Sequence, residues 1–185
     1  MNNTKIVWGI IIVIIVSAGI YFSLVKKVEA PTDGEKAATA LPFDPQNATY
    51  MIDGQPVTLV NGLSEVEAAP GSVTKTTTRY FGNEARGDLN GDGQEDLAYL
   101  ITYDGGGSGT FFLAVAAIKN ADGYKITNPF LIGDRIAPQT TEIVSGELRV
   151  NYATRGQGEP MTAQPSVGVT MRLKVTPAGA LELSK

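Results

Sequence analysis

Oxygen-bearing side chains recur at alternate positions between residues 87 and 96, which read Gly-Asp-Leu-Asn-Gly-Asp-Gly-Gln-Glu-Asp. Alternation lets a tightly coiled loop direct successive ligands to one centre, and Gly93 lies where such a loop turns sharply. The turn leaves the backbone carbonyl of Gln94 available as one more ligand. A calcium ion takes about six to eight oxygen ligands at about 2.3–2.6 Å. The sequence therefore predicts a calcium site with these ligands: Asp88, Asn90, Asp92, Gln94 and Asp96.

The pattern D-x-N-x-D-G-x-x-D resembles the calcium loops of dockerins, thrombospondin type 3 repeats and the FG-GAP repeats of integrin-type propellers. In the FG-GAP form, which is the closer match, the loop joins two strands and its ninth residue, here Asp96, closes the shell. The twelfth residue counted from Asp88 is Tyr99 and not the bidentate Glu of an EF-hand, so we do not expect a regulatory sensor. Together with the later Gly-Gly-Gly-Ser-Gly-Thr-Phe and Gly-Asp-Arg-Ile segments, the loop is also similar to small membrane-anchored proteins of the bacterial envelope. That similarity implies no particular activity.

An ion-free acidic turn is the alternative interpretation of the same residues. Asn90-Gly91 is a typical type I′ hairpin turn, which forms without an ion. Asp88, Asp92 and Asp96 would then repel one another unless Lys or Arg neutralised them, and Arg86 is the nearest candidate. Four oxygen ligands in phase, followed by glycine, favour calcium over turn chemistry alone.

A run of twenty almost wholly apolar residues begins at Ile6 and ends at Val25. At about 1.5 Å per residue it reaches about 30 Å, the thickness of the bilayer core. Trp8 near one end and Tyr21 near the other resemble interfacial anchors. Residues 1–27 are therefore predicted to form a single-pass membrane anchor.

The side of the membrane is inferred from the short N-terminal tail, which usually stays in the cytoplasm. We expect the C-terminal domain to be extracytoplasmic, where calcium is also more abundant. A signal peptide cleaved near Ala18 is the alternative, but the apolar run continues past that point. The chain contains no Cys, which excludes a lipoprotein anchor and disulfides.

Residues 28–46 are predicted to be a flexible linker, since the segment lacks an apolar period and contains Pro31, Pro42 and Pro45. Of the 15 Lys and Arg residues, three lie at or before Lys27, which leaves twelve against all 19 Asp and Glu. This acidic surplus argues against nucleic acid as a partner.

Residues 47–185 are predicted to form an all-β domain, an antiparallel meander folded as a sandwich or partly closed barrel. A short helical turn remains open for 63–70. Segment 97–103 is apolar on both faces, so it should be a central strand, and the ion would then fix the connection between two core strands. The predicted strands are 49–52, 57–60, 73–81, 97–103, 110–118, 124–132, 141–144, 148–153, 167–175 and 181–183.

Two loops remain as candidates for binding. Residues 104–109 are rich in glycine but lead into a strand, so they are predicted to connect a hairpin and not to cradle phosphate. Residues 155–166 form a long polar loop of the kind that is mobile or used for binding.

The chain has no His and no Cys, which removes the commonest general base, thiol nucleophile and zinc ligands. We therefore expect a non-enzymatic protein of the cell envelope, a binding or adhesion module for an envelope protein or a glycan. The alternatives are a structural or inhibitor-like protein without its own ligand, or a hydrolase that uses paired carboxylates. An exposed apolar patch near 105–109 or 155–166 would favour the binding module.

Overall fold

The computed structural model describes residues 43–184, so the predicted membrane segment and most of the predicted linker lie outside the described residues. Within that range, no helix is long and apolar enough to cross a membrane. A short 3-10 helix, Pro45–Asn47, precedes strands with these bounds: β1 Thr49–Ile52, β2 Gln55–Thr58, β3 Leu63–Glu67, β4 Lys75–Gly87, β5 Asp96–Asp104, β6 Phe111–Asn120, β7 Gly123–Ile126, β8 Phe130–Asp134, β9 Ala137–Val144, β10 Glu147–Thr154, β11 Val167–Val175 and β12 Leu181–Leu183.

These strands form three antiparallel sheets. The larger sheet follows chain order from β3 to β7, and β8 also pairs with β6. A four-stranded sheet has the order β12-β11-β10-β9, while β1 and β2 form a separate hairpin. The prediction of an all-β, antiparallel meander is confirmed, and the sheets do not close into a barrel.

Strand β5 lies at the centre of the larger sheet and is covered on both faces. Ala98 and Leu100 belong to a core that includes residues of the four-stranded sheet, such as Leu148 and Leu173. The opposite face belongs to a second core that includes residues of the β1-β2 hairpin. The predicted central position of this strand is confirmed, because apolar side chains on both faces require cover on both sides.

The N-terminal hairpin is fastened to β5 by buried tyrosines. The Tyr50 hydroxyl donates to the Pro45 carbonyl at 2.5 Å and lies 3.1 Å from the Tyr99 hydroxyl. Burial raises the pKa of Tyr50 to about 12 and also raises the pKa of Tyr99, so both hydroxyls keep their protons near neutral pH. Phe43, which falls in the predicted linker, packs against this second core.

Replacing Tyr50 with phenylalanine should destabilise the fold more than the same change at Tyr99. The first change leaves the Pro45 carbonyl without its donor and the Tyr99 hydroxyl without its acceptor, at a cost of about 1–3 kcal/mol. Tyr99→Phe keeps the bond to Pro45 and should cost about 0.5–1.5 kcal/mol. Urea denaturation of both variants checks the order, and equal losses would contradict this account of the hairpin.

Several predicted elements differ from the structure. Residues 63–67, for which a helical turn was left open, form strand β3, because the connection 68–74 turns the chain so that they pair with the first residues of β4. Strand β4 continues beyond residue 81 through a bulge at Gly82 and Asn83, both with positive φ. The predicted strand 124–132 is two strands, β7 and β8, with Pro129 in the break. The second strand of the first hairpin begins at Gln55, so Pro56 lies inside it, on an edge as expected.

Candidate metal centre

The predicted calcium loop connects β4 to β5, two hydrogen-bonded neighbours in the larger sheet. Its one apolar side chain, Leu89, is 4% exposed and belongs to the core between the two large sheets. A Cβ at Gly87 would lie 2.9 Å from Cγ2 of Ile143, so β4 passes close to β9 just before the loop. The loop is therefore held by the core on which both sheets pack.

Asp88 organises the first half of the loop. Its Oδ1 accepts from the backbone N–H of Gly91 at 2.7 Å, and its Oδ2 accepts from the backbone N–H of Gly93 at 2.9 Å. Both glycines have φ near +80°, where a side chain would be strained. The predicted sharp turn at Gly93 is present.

Asp92 and Asn90 form the outer, exposed part of the loop. The Asn90 Oδ1 accepts from Asp92 N–H at 3.0 Å, and the Asp92 Oδ1 accepts from Gln94 N–H at 2.8 Å. The Asn90 amide also donates to Asp92 Oδ2 at 3.0 Å. That bond, followed by the one from the Gln94 N–H, holds the pKa of Asp92 below its ordinary value, so the carboxylate is ionised near neutral pH.

Asp96 differs from the other predicted ligands because its side chain is completely buried. Its Oδ2 accepts from Leu89 N–H at 2.9 Å, and its Oδ1 accepts from Lys119 N–H at 2.8 Å. One carboxylate thus links the start of the loop to the far end of β6. The contribution from Lys119 could not be read from the sequence, since it comes from 23 residues away.

The donor set of the loop suits a hard cation. Each carboxylate oxygen has two lone pairs, and the backbone bonds above use only some of them. The Gln94 carbonyl accepts no hydrogen bond from any residue between 43 and 184, which leaves it open as the predicted backbone ligand. In the same part of the chain, no three acidic, cysteine or histidine side chains converge in a group able to hold a metal. Convergence of the mixed oxygen set on an ion therefore stays a prediction.

The loop has one feature of an ion-free turn and lacks two others. Backbone N–H groups donate to Asp88 and Asp92 within the loop, as they do in turns without an ion. Asn90 does not have positive φ, so Asn90-Gly91 is not the type I′ turn that would close a two-residue hairpin. Arg86 pairs with Glu84 at 3.7 Å and with Glu95 at 3.6 Å. No ion pair in the described range involves an aspartate of the loop.

Clefts lie on both sides of the loop. One cleft of about 430 Å³ is lined by Asp88 and Gly91 together with the β9-β10 turn at Ser145 and Gly146. Another, of about 400 Å³, is lined by Asn90, Lys125 and residues of the β11-β12 turn. Residues of the loop therefore form part of the wall of each cleft.

The glycine-rich loop and the polar loop, the two other candidates for binding, are held by different contacts. Residues 105–110 connect β5 to β6 as a hairpin, as predicted. The polar loop 155–166 is fastened by Arg155, whose Nε donates to the Ala163 carbonyl at 2.6 Å and whose Nη1 donates to the Arg135 carbonyl at 2.9 Å. Met161 in this loop is 44% exposed.

An apolar groove of about 290 Å³ lies beside the glycine-rich connection. Tyr103 and Phe111, which flank that connection, line the groove with Leu131, whose side chain is 53% exposed. Met51 and Ile52 of the N-terminal hairpin form the other wall, and Asp53 stands at its rim. Sequence reasoning did not identify this groove, because residues from four separate strands and their connections form it.

No protein-family model, no curated protein and no solved structure matches this chain.

Proposed function

We propose that residues 88–96 bind one calcium ion that stabilises the domain. The carboxylates of Asp88, Asp92 and Asp96, the Asn90 amide oxygen and the Gln94 carbonyl would hold it. The absence of any Lys or Arg partner for the loop aspartates among the described residues supports this proposal. The ion would supply the missing positive charge at the connection of two core strands.

The function that the geometry supports best is that of a calcium-stabilised binding module. The observation that carries this proposal is the exposed apolar groove between the N-terminal hairpin and Leu131, next to residues 105–109. Exposed apolar surface in a concave site commonly marks a ligand or partner. An envelope protein or a glycan with an apolar face is the kind of ligand expected, since two aromatic side chains line the groove. The apolar run from Ile6 to Val25 would anchor the module with this domain on the extracytoplasmic side.

A structural or inhibitor-like envelope protein is the second candidate. The burial of Leu89 and Asp96 favours it, because both residues give the loop a role in stability that needs no ligand. Such a protein would not depend on the groove for any interaction.

Affinity capture from envelope extracts, with the full chain as bait, distinguishes the two candidates. A ligand of the groove should be retained by the unmodified chain and lost after Leu131→Ser. Leu183→Ser is the matched control, because Leu183 is similarly exposed at 57% but lies on strand β12 of the four-stranded sheet and does not line the groove. A chelator should weaken capture. Equal retention by all three chains would contradict a binding role for the groove.

A further inference from the structure

A second cleft adjoins the apolar groove at the tip of the N-terminal hairpin. It has a volume of about 530 Å³ and is lined by residues of β2 on one side and of β3 on the other. Ile52, Asp53 and Tyr103 line both this second cleft and the apolar groove. The two therefore meet at the hairpin tip, and together they are called the joined cleft below.

The floor of the joined cleft is a row of side chains that crosses the larger sheet. Val66 of β3 lies opposite Thr76 of β4. Tyr103 of β5 lies opposite Phe111 of β6, and Leu131 of β8 ends the row. At a strand spacing of about 4.8 Å, the distance from β3 to β8 is about 19 Å. The joined cleft therefore suits a ligand that is long and narrow.

Two half-buried aromatic side chains in this row, Tyr103 and Phe111, lie against the glycine-rich connection. A Cβ on Gly109 would lie 3.1 Å from Cε2 and Cζ of Phe111. A Cβ on Gly105 would lie 3.6 Å from Cε1 of Tyr103. The two glycines therefore let the connection pack closely against both rings and hold them in place. Rings held in this way offer a fixed apolar surface on which the apolar face of a sugar can pack.

The second cleft adds polar side chains to this apolar surface. Gln55 and Thr58 of β2 are exposed, and Ser64 and Thr76 of the larger sheet are half-buried. Amide and hydroxyl side chains both donate and accept hydrogen bonds. The hydroxyl groups of a sugar do the same, so the two sets of groups are complementary.

The charged residues of the joined cleft are all acidic. They are Asp53 and Glu67, and no Lys or Arg is among the described residues that line either part. Neither carboxylate forms an ion pair within residues 43–184, and Lys75, which lies opposite Glu67, pairs with Glu65 instead. An anionic ligand would be repelled here, whereas the hydroxyl groups of an uncharged ligand can donate to both carboxylates.

A peptide strand is a poorer fit to the joined cleft. The floor is the face of the sheet, where the backbone groups of β4, β5 and β6 already pair with neighbouring strands. An added strand would need a free edge. Of the two edges beside the second cleft, β2 contains Pro56, and β3 carries Glu65 with its ion pairs. Recognition in the joined cleft therefore depends on side chains.

We infer that the ligand of the joined cleft is a linear, uncharged glycan. The inference rests on the proposed binding function and names its ligand class. The apolar faces of the sugar rings pack on Tyr103, Phe111 and Leu131. Their hydroxyl groups bond to Asp53 and to the polar side chains of the second cleft. Tyr103 lies where the two parts meet, so it contacts the middle of the bound segment.

Affinity electrophoresis of the full chain tests this inference, in native gels that contain a linear polysaccharide. The uncharged probes are hydroxyethyl cellulose, glycol chitin and glucomannan. The carboxymethyl derivative of the same backbone is the matched control for each, because it differs by its anionic groups. We expect at least one uncharged probe to retard the chain and its carboxymethyl derivative to retard it less.

Two variants assign the retardation to the joined cleft. Gln55→Ala should raise the Kd about two- to tenfold, the effect of one lost hydrogen bond. Gln139→Ala is its matched control and should leave the Kd unchanged, because Gln139 is also exposed but lies on β9 and lines neither part. Tyr103→Leu keeps an apolar side chain but removes the central ring, so it should raise the Kd by about tenfold or more.

Three results would overturn the inference: no retardation by any uncharged probe, equal retardation by the carboxymethyl derivative, or the same Kd for Gln55→Ala and Gln139→Ala. If an envelope protein is nevertheless captured and is lost after Leu131→Ser, the binding function stands and only the glycan is excluded. If that capture fails as well, the proposed function falls with the inference.

Discussion

Replacing Asp96 with alanine should lower the free energy of unfolding by about 3 kcal/mol, even without calcium. The buried carboxylate accepts the N–H groups of Leu89 and Lys119, and alanine would leave both donors without a partner. Each orphaned buried group costs about 1–3 kcal/mol. Chemical denaturation in the presence of a chelator measures the loss directly.

Asp92→Ala is the control for this prediction, because it removes the same functional group from the exposed side of the same loop. The Gln94 N–H that donates to Asp92 can turn to water instead, so the loss of stability without calcium should be small compared with that of Asp96→Ala. Asp96→Asn, which keeps an acceptor oxygen, should fall between the two. Similar losses for Asp96→Ala and Asp92→Ala would mean that Asp96 does not fasten the loop to β6.

Calcium should raise the stability of the unmodified chain by an amount that follows from mass action. An ion that binds only the native state adds about 1.4 kcal/mol at ten times Kd and about 2.7 kcal/mol at a hundred times Kd. For a domain of this size, each kcal/mol corresponds to roughly 4 °C in Tm. Thermal unfolding of the full chain at increasing calcium concentrations measures the shift.

The calcium-dependent part of this shift should disappear in Asp92→Ala, whereas the β-type circular dichroism spectrum should remain. The strands bury their apolar residues without the ion, so the fold persists at lower stability. A large spectral or hydrodynamic change on chelation, with little loss of stability, would instead make the loop a switch.

Strands with a regular pattern were predicted well from the sequence. Strand β11 has the predicted bounds because Val, Met and Leu alternate with Gly, Thr, Arg and Lys along its length. Strand β3 was missed because its residues show no period, and it becomes a strand by pairing with the threonines of β4. Gly82-Asn83 has the composition of a turn but forms a bulge, since the strand beyond it pairs with β5.

The local conformation of the candidate loop was predictable from the sequence, but its surroundings were not. Spacing alone indicated Asp88, Asn90 and Asp92, and the turn at Gly93 has the expected conformation. The distinct environment of Asp96 depends on Lys119, which only the fold brings near. The hydrogen bonds within the loop depend on nearby residues in the sequence, whereas the apolar groove depends on which strands become neighbours.

Calorimetric titration of the full chain with calcium tests the central claim most directly. We expect one saturable site per chain with Kd of about 10⁻⁴ to 10⁻³ M, the range of extracellular modules, because the bidentate Glu of high-affinity loops is missing. The double variant Asp88→Ala with Asp92→Ala should show no saturable heat. If the unmodified chain gives no saturable heat at millimolar calcium, or the double variant binds equally well, residues 88–96 are not a calcium site.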